Sequence, residues 1–419
     1  MTYPRWAFKF LIMGFMALGA IQAQGDAQAA APTDSLTAAP VDSGARGSFW
    51  RRRAAVPAPD KKAAPVAKKA DKKSSQPLAA GKIVWQTRLD GPVAAEPVAD
   101  ADSLFALSQA GVLYSLDPRD GRILWQKTLK ASTEASQGEP TAPPDREAGA
   151  QAAPALSADH VFVALASGEA IALEKANGRE RWRVQLGGPV TAAPLPCENG
   201  LLLVADQSGA LSALNAQTGE LRWRYDAQRL LNASPVAGKT AAYAVDFEGG
   251  VTALNLETGE TLWKSEVEGP LTAAPILTPD VLLVSSGVGA LFALDVKDGE
   301  RRWSYTSGSP MLGSPIVVGR DVMVGDINGA VGCVALESGS RVWQRDLNAA
   351  IFSPLRLMGK STLVTGDGAG RVVALNSHDG RRMGEAALRS VIAAPVAVHG
   401  ARMFVGAQNA TLSAVEWPK

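Results

Sequence analysis

The sequence predicts an all-β fold, an eight-bladed β-propeller of four-stranded antiparallel blades, and three observations predict it. The first is a repeat. Two glycines stand ten residues apart and a tryptophan follows the second by four, as in Gly289…Gly299…Trp303. The same frame returns as Gly111…Gly121…Trp125, Gly168…Gly178…Trp182, Gly209…Gly219…Trp223, Gly249…Gly259…Trp263 and Gly329…Gly339…Trp343. A further copy, Gly370…Gly380, has Gly384 where the tryptophan belongs, and Gly81…Trp85 carries only the end of the frame. Counted at the second glycine, every step is 40 or 41 residues except one of 57. Self-similarity at this period marks a solenoid, a propeller or an array.

The second observation is the period inside the frame. Segments such as Ala290-Leu-Phe-Ala-Leu294 and Leu211-Ser-Ala-Leu214 lie between turn signals and have the length and alternation of half-buried strands. The first glycine supplies the positive φ of a tight hairpin. The second closes turns such as Asp117-Pro-Arg-Asp-Gly121 and Asp295-Val-Lys-Asp-Gly299, where Asp117, Asp120, Asp295 and Asp298 are expected to bond the backbone two residues on. With another apolar strand pair upstream, as in 273–284, each unit holds four strands in about 40 residues, the size of one propeller blade.

The third observation is a pair of leftovers. Seven complete units run from 92 to 388, and three further strands near 394–397, 402–405 and 411–415 end where a tryptophan strand should follow. That strand, residues 82–89, is left over at the opposite end. Pairing the two closes an eighth blade and removes the exposed edges an open ring would leave.

In chain order, residues 1–29 read as a secretory signal: Arg5 and Lys9, an apolar run over 10–21, then Ala27-Gln28-Ala29 as a small-x-small cleavage site. An uncleaved anchor is the alternative, but twelve apolar residues fall short of the roughly 20 that cross a bilayer. Neither cysteine, Cys197 or Cys333, stands at the signal junction for lipid attachment. Residues 30–80 are rich in Ala, Pro, Lys and Ser and are expected to be a disordered linker. Residues 1–80 hold 12 basic and 5 acidic side chains, a net +7, which leaves −6 for the rest of a chain whose total is +1. A basic tail that includes Arg51-Arg52-Arg53 is read as a solvated spacer, with peripheral contact to anionic envelope components as the alternative. An acidic folded part on an exported chain argues against nucleic acid. The propeller is expected over 81–419, with a surface insertion near 131–151.

Trp85, Trp125, Trp182, Trp223, Trp263, Trp303 and Trp343 repeat at one place in successive units. A position repeated around a ring is what packing demands, so these are read as blade-docking side chains rather than a ligand site. His160, His378 and His399 show no metal-ligand spacing. There is no phosphate loop, nucleophile elbow or Cys-x-x-Cys, so no catalytic residue, metal or cofactor is assigned. Cys197 and Cys333 fall in units far apart around the ring, too far for a disulfide, and are expected to be free, buried thiols.

The motif Leu-(Asp/Asn)-x-x-(Thr/Asp)-Gly-x-x-x-Trp, as in Leu214-Asn215…Thr218-Gly219…Trp223 and Leu254-Asn255…Thr258-Gly259…Trp263, resembles the tryptophan-docking repeat of the pyrroloquinoline-quinone-like propellers. The Ala193-Pro194, Ser234-Pro235, Ala274-Pro275 and Ser314-Pro315 starts fit that family. Within it the chain is most similar to the BamB family of outer-membrane assembly factors. That resemblance implies a non-enzymatic periplasmic scaffold, monomeric within a complex, whose protein partner is the POTRA domains of a BamA-like barrel-inserting subunit. The connection corresponding to that family's partner-binding loop points to Arg229, Leu230 and Leu231. Quinoprotein dehydrogenases share the repeat and form the rival class, and a general cell-envelope scaffold is a third reading.

Overall fold

A computed structural model describes residues 79–129 and 152–417, apart from Ala94, Phe352, Arg389, Val391 and Ala393. The signal, the linker up to residue 78 and the insertion at 131–151 therefore lie outside the described residues. All regular structure among the described residues is β, and it forms eight sheets, seven of four strands and one of five. Blades 1 to 7 span 98–128, 155–185, 195–226, 236–266, 276–306, 316–346 and 356–387. Each is an antiparallel meander whose first strand is only two or three residues long. First strands of neighbouring blades touch one another, which places them around the axis and the tryptophan strand at the perimeter.

Blade 8 is assembled from both ends of the propeller, as the leftovers predicted. Lys82–Arg88 pairs antiparallel with Thr411–Glu416, which continues into Arg402–Gly406 and Ala397–His399. The linker boundary at 80 is corrected: Ala79–Ala80 already belongs to the propeller, where it pairs in parallel with Gly384 and Glu385 and makes blade 7 the five-stranded sheet.

The middle two strands of each blade are buried on both faces, so each sheet packs against both neighbours. The seams carry the core, as in the cluster of Tyr243, Trp263, Leu282, Phe292 and Leu294 between blades 4 and 5. Seven seams share one device. Each tryptophan Nε1–H donates to a turn carbonyl of the next blade, from Trp85 to Pro118 at 3.1 Å through Trp223 to Leu256 at 3.0 Å to Trp343 and Ser377 at 3.1 Å. The ring lies on the turn glycine of that blade. At Gly259, φ is 74°, and a Cβ would come within 2.7 Å of the Trp223 ring. A side chain is excluded there by both conformation and space. The turns are tied as expected: Oδ1 of Asp117 accepts from Arg119 N at 2.9 Å and Oδ1 of Asp295 from Lys297 N at 2.9 Å. Cys333 is buried and Cys197 half-buried, and both are free thiols.

Candidate docking rim

One face of the ring is built from two kinds of segment: the loops that connect successive blades, and the turns between the second and third strands. They interlock in a fixed way. The carbonyl of Pro189 accepts from Gln207 N at 2.8 Å, that of Leu230 from Phe247 N at 3.0 Å, that of Pro270 from Gly287 N at 2.9 Å and that of Pro310 from Ile327 N at 3.0 Å. Leu230 thus occupies a position that is proline in its neighbours. The turns are stiffened by buried aspartates: Asp246 Oδ1 accepts from the amides of Glu248 and Gly250, both at 2.8 Å, and Asp326 Oδ1 from Asn328 and Ala330, both at 3.0 Å. Such side-chain-to-backbone bonds hold a turn in one conformation without a strand partner.

The residues singled out by sequence part company here. Arg229 is partly exposed and held among acids, its Nη1 3.1 Å from Glu266 Oε1 and 3.7 Å from Asp246 Oδ2, its Nε 3.5 Å from Glu248 Oε2. The Glu266 carboxylate, followed by Asp246, raises its pKa further. Leu230 is exposed on the same rim. Leu231 is a correction: it is 2% exposed and packs with Ala192, Leu203, Trp223 and Ala244 in the seam between blades 3 and 4. Its counterparts Val190, Leu271, Met311 and Ile351 are buried too. The signal was available, because this column of the repeat is apolar in every unit, and an invariant apolar column is core.

Sequence reasoning missed the companions of Leu230. Phe247 and Ile327 are half-buried at the turn tips of blades 4 and 6, and Val288 is exposed on the turn between them. Val288 lies directly over the next connecting loop, since a Cβ on Gly269 would come 2.5 Å from its Cγ1. Glutamine holds the Phe247 position in other blades (Gln109, Gln207, Gln408), so departure from the column was the usable signal. Glu248, Glu266 and Glu268 flank the apolar tips, and Arg301 pairs with Glu268 at 3.2 Å. Rigid turns that present apolar tips in an acidic surround have the composition of a protein-recognition surface, with an apolar centre and a polar rim.

Elsewhere the chemistry is quiet. Burial pushes the Cys197 thiol up to about 11 and the Cys333 thiol up to about 12, away from the thiolate a nucleophile needs. His160 is buried against Phe162, while His378 is exposed in a turn of blade 7 and His399 is exposed at the end of the first strand of blade 8. Among the described residues no group of three or more His, Cys, Asp or Glu converges to hold a metal. On the innermost strand of blade 7, Arg356 forms an ion pair with Glu96 of blade 1, reaching past blade 8, with Nε 2.8 Å from Oε1.

Comparison with known proteins agrees with this reading of the fold. The family described as outer membrane protein assembly factor BamB matches residues 50–146, 111–274 and 247–419. Similar proteins include the outer membrane protein assembly factors BamB of Yersinia pestis, 24% identical over 145 residues, and of Burkholderia pseudomallei, 27% identical over 162 residues. The matches cover 33% and 38% of this chain and 35% and 38% of those proteins, so the chain spans little more than a third of the curated relatives it matches. Among solved structures, BamB from Moraxella catarrhalis superimposes with a TM-score of 0.66 at 20% identity, over 81% of this chain and 98% of that one. The quinohemoprotein alcohol dehydrogenase from Comamonas testosteroni gives 0.63 at 15% identity, over 80% of this chain and 76% of that one. At these identities the structural likeness concerns the fold alone.

Proposed function

Because this chain belongs to the family of the outer membrane protein assembly factor BamB, we propose that it is a non-enzymatic periplasmic scaffold that assists the assembly of outer-membrane β-barrels. In this reading residues 1–29 direct export, 30–78 are a spacer, and the propeller binds its partner through the rim of blades 4 to 6. The partner we assign is the POTRA region of the barrel-inserting subunit. The observation that carries the reading is the row of apolar tips, Leu230, Phe247 and Val288, held on hydrogen-bonded turns and bordered by Glu248, Glu266 and Glu268. Arg229 belongs to this surface as the cation that spaces the acids, and Leu231 supports it from beneath.

The test is a titration of the full chain with the purified POTRA fragment of the cognate barrel inserter. Leu230→Asp with Phe247→Ser is expected to weaken binding by about a hundredfold, the loss of two apolar anchors at an interface centre. The tryptophan near-ultraviolet signal should stay unchanged. Undiminished binding by a folded double variant would sink the site. No binding by the wild-type chain would sink the partner. A dehydrogenase reading has the shared fold behind it but no site residue in its favour.

A further inference from the structure

The perimeter of the ring breaks its own symmetry at a place the docking rim does not use. Each outermost strand enters through a bulge, where two residues oppose one on the neighbouring strand just before the tryptophan. In blades 1, 3 to 6 and 8 both bulge residues are exposed. In blades 2 to 6 at least one of them is charged or threonine, and in blade 5 both are arginine, Arg301 and Arg302. In blades 8 and 1, which are neighbours, all four are aliphatic: Ile83, Val84, Ile123 and Leu124, between 37% and 44% exposed. Trp85, the next residue after Ile83-Val84, rests on Pro118 and Gly121, the turn that leads into Ile123. The two aliphatic pairs therefore flank one docked seam.

These residues lie on open sheet edges. Ile123–Thr128 is the terminal strand of its blade, and its outward peptide groups have no strand partner among the described residues. Inward or edge charges are the usual guard against strand addition, and this strand, ILWQKT, carries one lysine where blade 5 carries two arginines. The molecule also demonstrates that such an edge accepts an added strand, since Ala79–Ala80 pairs along Gly384 and Glu385 on the perimeter of blade 7.

We propose that the outer edge of blade 1, with Ile83 and Val84 of blade 8 beside it, binds an extended polypeptide segment of alternating apolar and polar residues by strand addition. Backbone hydrogen bonds to Ile123–Thr128 supply affinity without sequence selection, and the aliphatic side chains favour apolar residues on the near face of the guest. This site is separate from the docking rim and stands whether or not the rim binds the assigned partner.

The experiment uses the full chain and a labelled peptide of about ten residues, a full strand length, alternating valine and threonine between lysine ends. A second peptide has the same side chains but alternate N-methylated amides. Binding is followed by fluorescence anisotropy and by amide hydrogen exchange at 123–128. Saturating peptide is expected to slow exchange there by about tenfold or more. Ile123→Arg with Leu124→Arg, the pair that blade 5 carries at the same place, is expected to weaken binding at least about tenfold while the fold is kept. Leu230→Asp should leave it unchanged. Equal binding of the N-methylated peptide, unchanged affinity of the double-arginine variant, or protection on the rim alone would each overturn the proposal. So would edge protection without peptide accompanied by a doubling of mass, which would make the occupant a second copy of the chain.

Discussion

The seam between blades 3 and 4 and the seam between blades 7 and 8 do the same job by different means. In the first, the Trp223 indole donates to Leu256 O and lies against Gly259, whose left-handed backbone and missing Cβ make room for it. In the second there is no tryptophan: Gly384 stands in its place. The reason is topological. An indole can dock only where the next blade has a turn joining its third and fourth strands, offering both a carbonyl and a glycine. In blade 8 those strands, Thr411–Glu416 and Lys82–Arg88, are joined by no turn, because one comes from each end of the propeller. The seam is held instead by Ala79–Ala80 on blade 7, by the Gly81 N–H donating to Glu385 O at 3.2 Å, and by Trp417. Trp417 packs against the cluster that includes Ala386 and Val415 and approaches so closely that a Cβ on Gly81 would be 2.9 Å from its ring. A repeat can standardise seven seams, but the one that holds the chain ends needs a separate solution.

The largest effect should come from emptying a standard seam. Trp223→Ala is expected to cost about 3–5 kcal/mol, the range for removing a buried aromatic ring, read as a fall in the denaturant midpoint. A loss below about 1 kcal/mol would mean that the indole fills space without docking. Leu231→Ala should follow at about 2–5 kcal/mol, as for a buried leucine, and stability no different from wild type would restore it to the surface. Trp417→Ala is expected to cost less, about 1–3 kcal/mol for a partly buried aromatic, and to speed amide exchange chiefly in 81–88. Uniform acceleration around the ring would show that closure is not local to this seam. Gly259→Ala against Gly200→Ala isolates the tryptophan's share. Both glycines have positive φ, but nothing lies within 4 Å of a Cβ on Gly200. Gly200→Ala should cost about 1–2 kcal/mol, the left-handed penalty alone, and Gly259→Ala more. Equal losses would remove the ring contact from the account.

The smallest effect concerns Asp117, in the turn where Trp85 docks. Hydrogen bonds from the Arg119 side chain and then its backbone lower its carboxyl to about 2. A depressed folded-state value stabilises above the ordinary carboxylate range, and that contribution is lost as pH falls through about 2. Carboxyl NMR should place the midpoint there, and Arg119→Ala should move it up. A midpoint that does not move would exclude the guanidinium as the cause.

The ring was legible because a repeat states its own geometry. The glycine and tryptophan columns around Gly219 and Trp223 specify turns, strands and seams one blade at a time, and local chemistry repeated at 40 residues implies closure. The candidate site was half legible. Arg229 and Leu230 were within reach, whereas Phe247 belongs to another segment and meets Leu230 only through the interlocked turns, and Val288 and Ile327 lie over the next two connecting loops.

The sequence by itself determined the meander within blades 1 to 7 and the residues that form seven of the eight seams, because these depend on residues within about one repeat of each other, and the unpaired strands left at the two ends implied the eighth blade. Tertiary structure alone decided the rest. It set the Leu230 carbonyl against the Phe247 amide, from a separate segment of the chain. It brought Glu96 to Arg356 across 260 residues of chain and placed Trp417 over Gly81. Contacts of that span follow from closing the ring, and no local pattern encodes which distant side chains the closure will bring together.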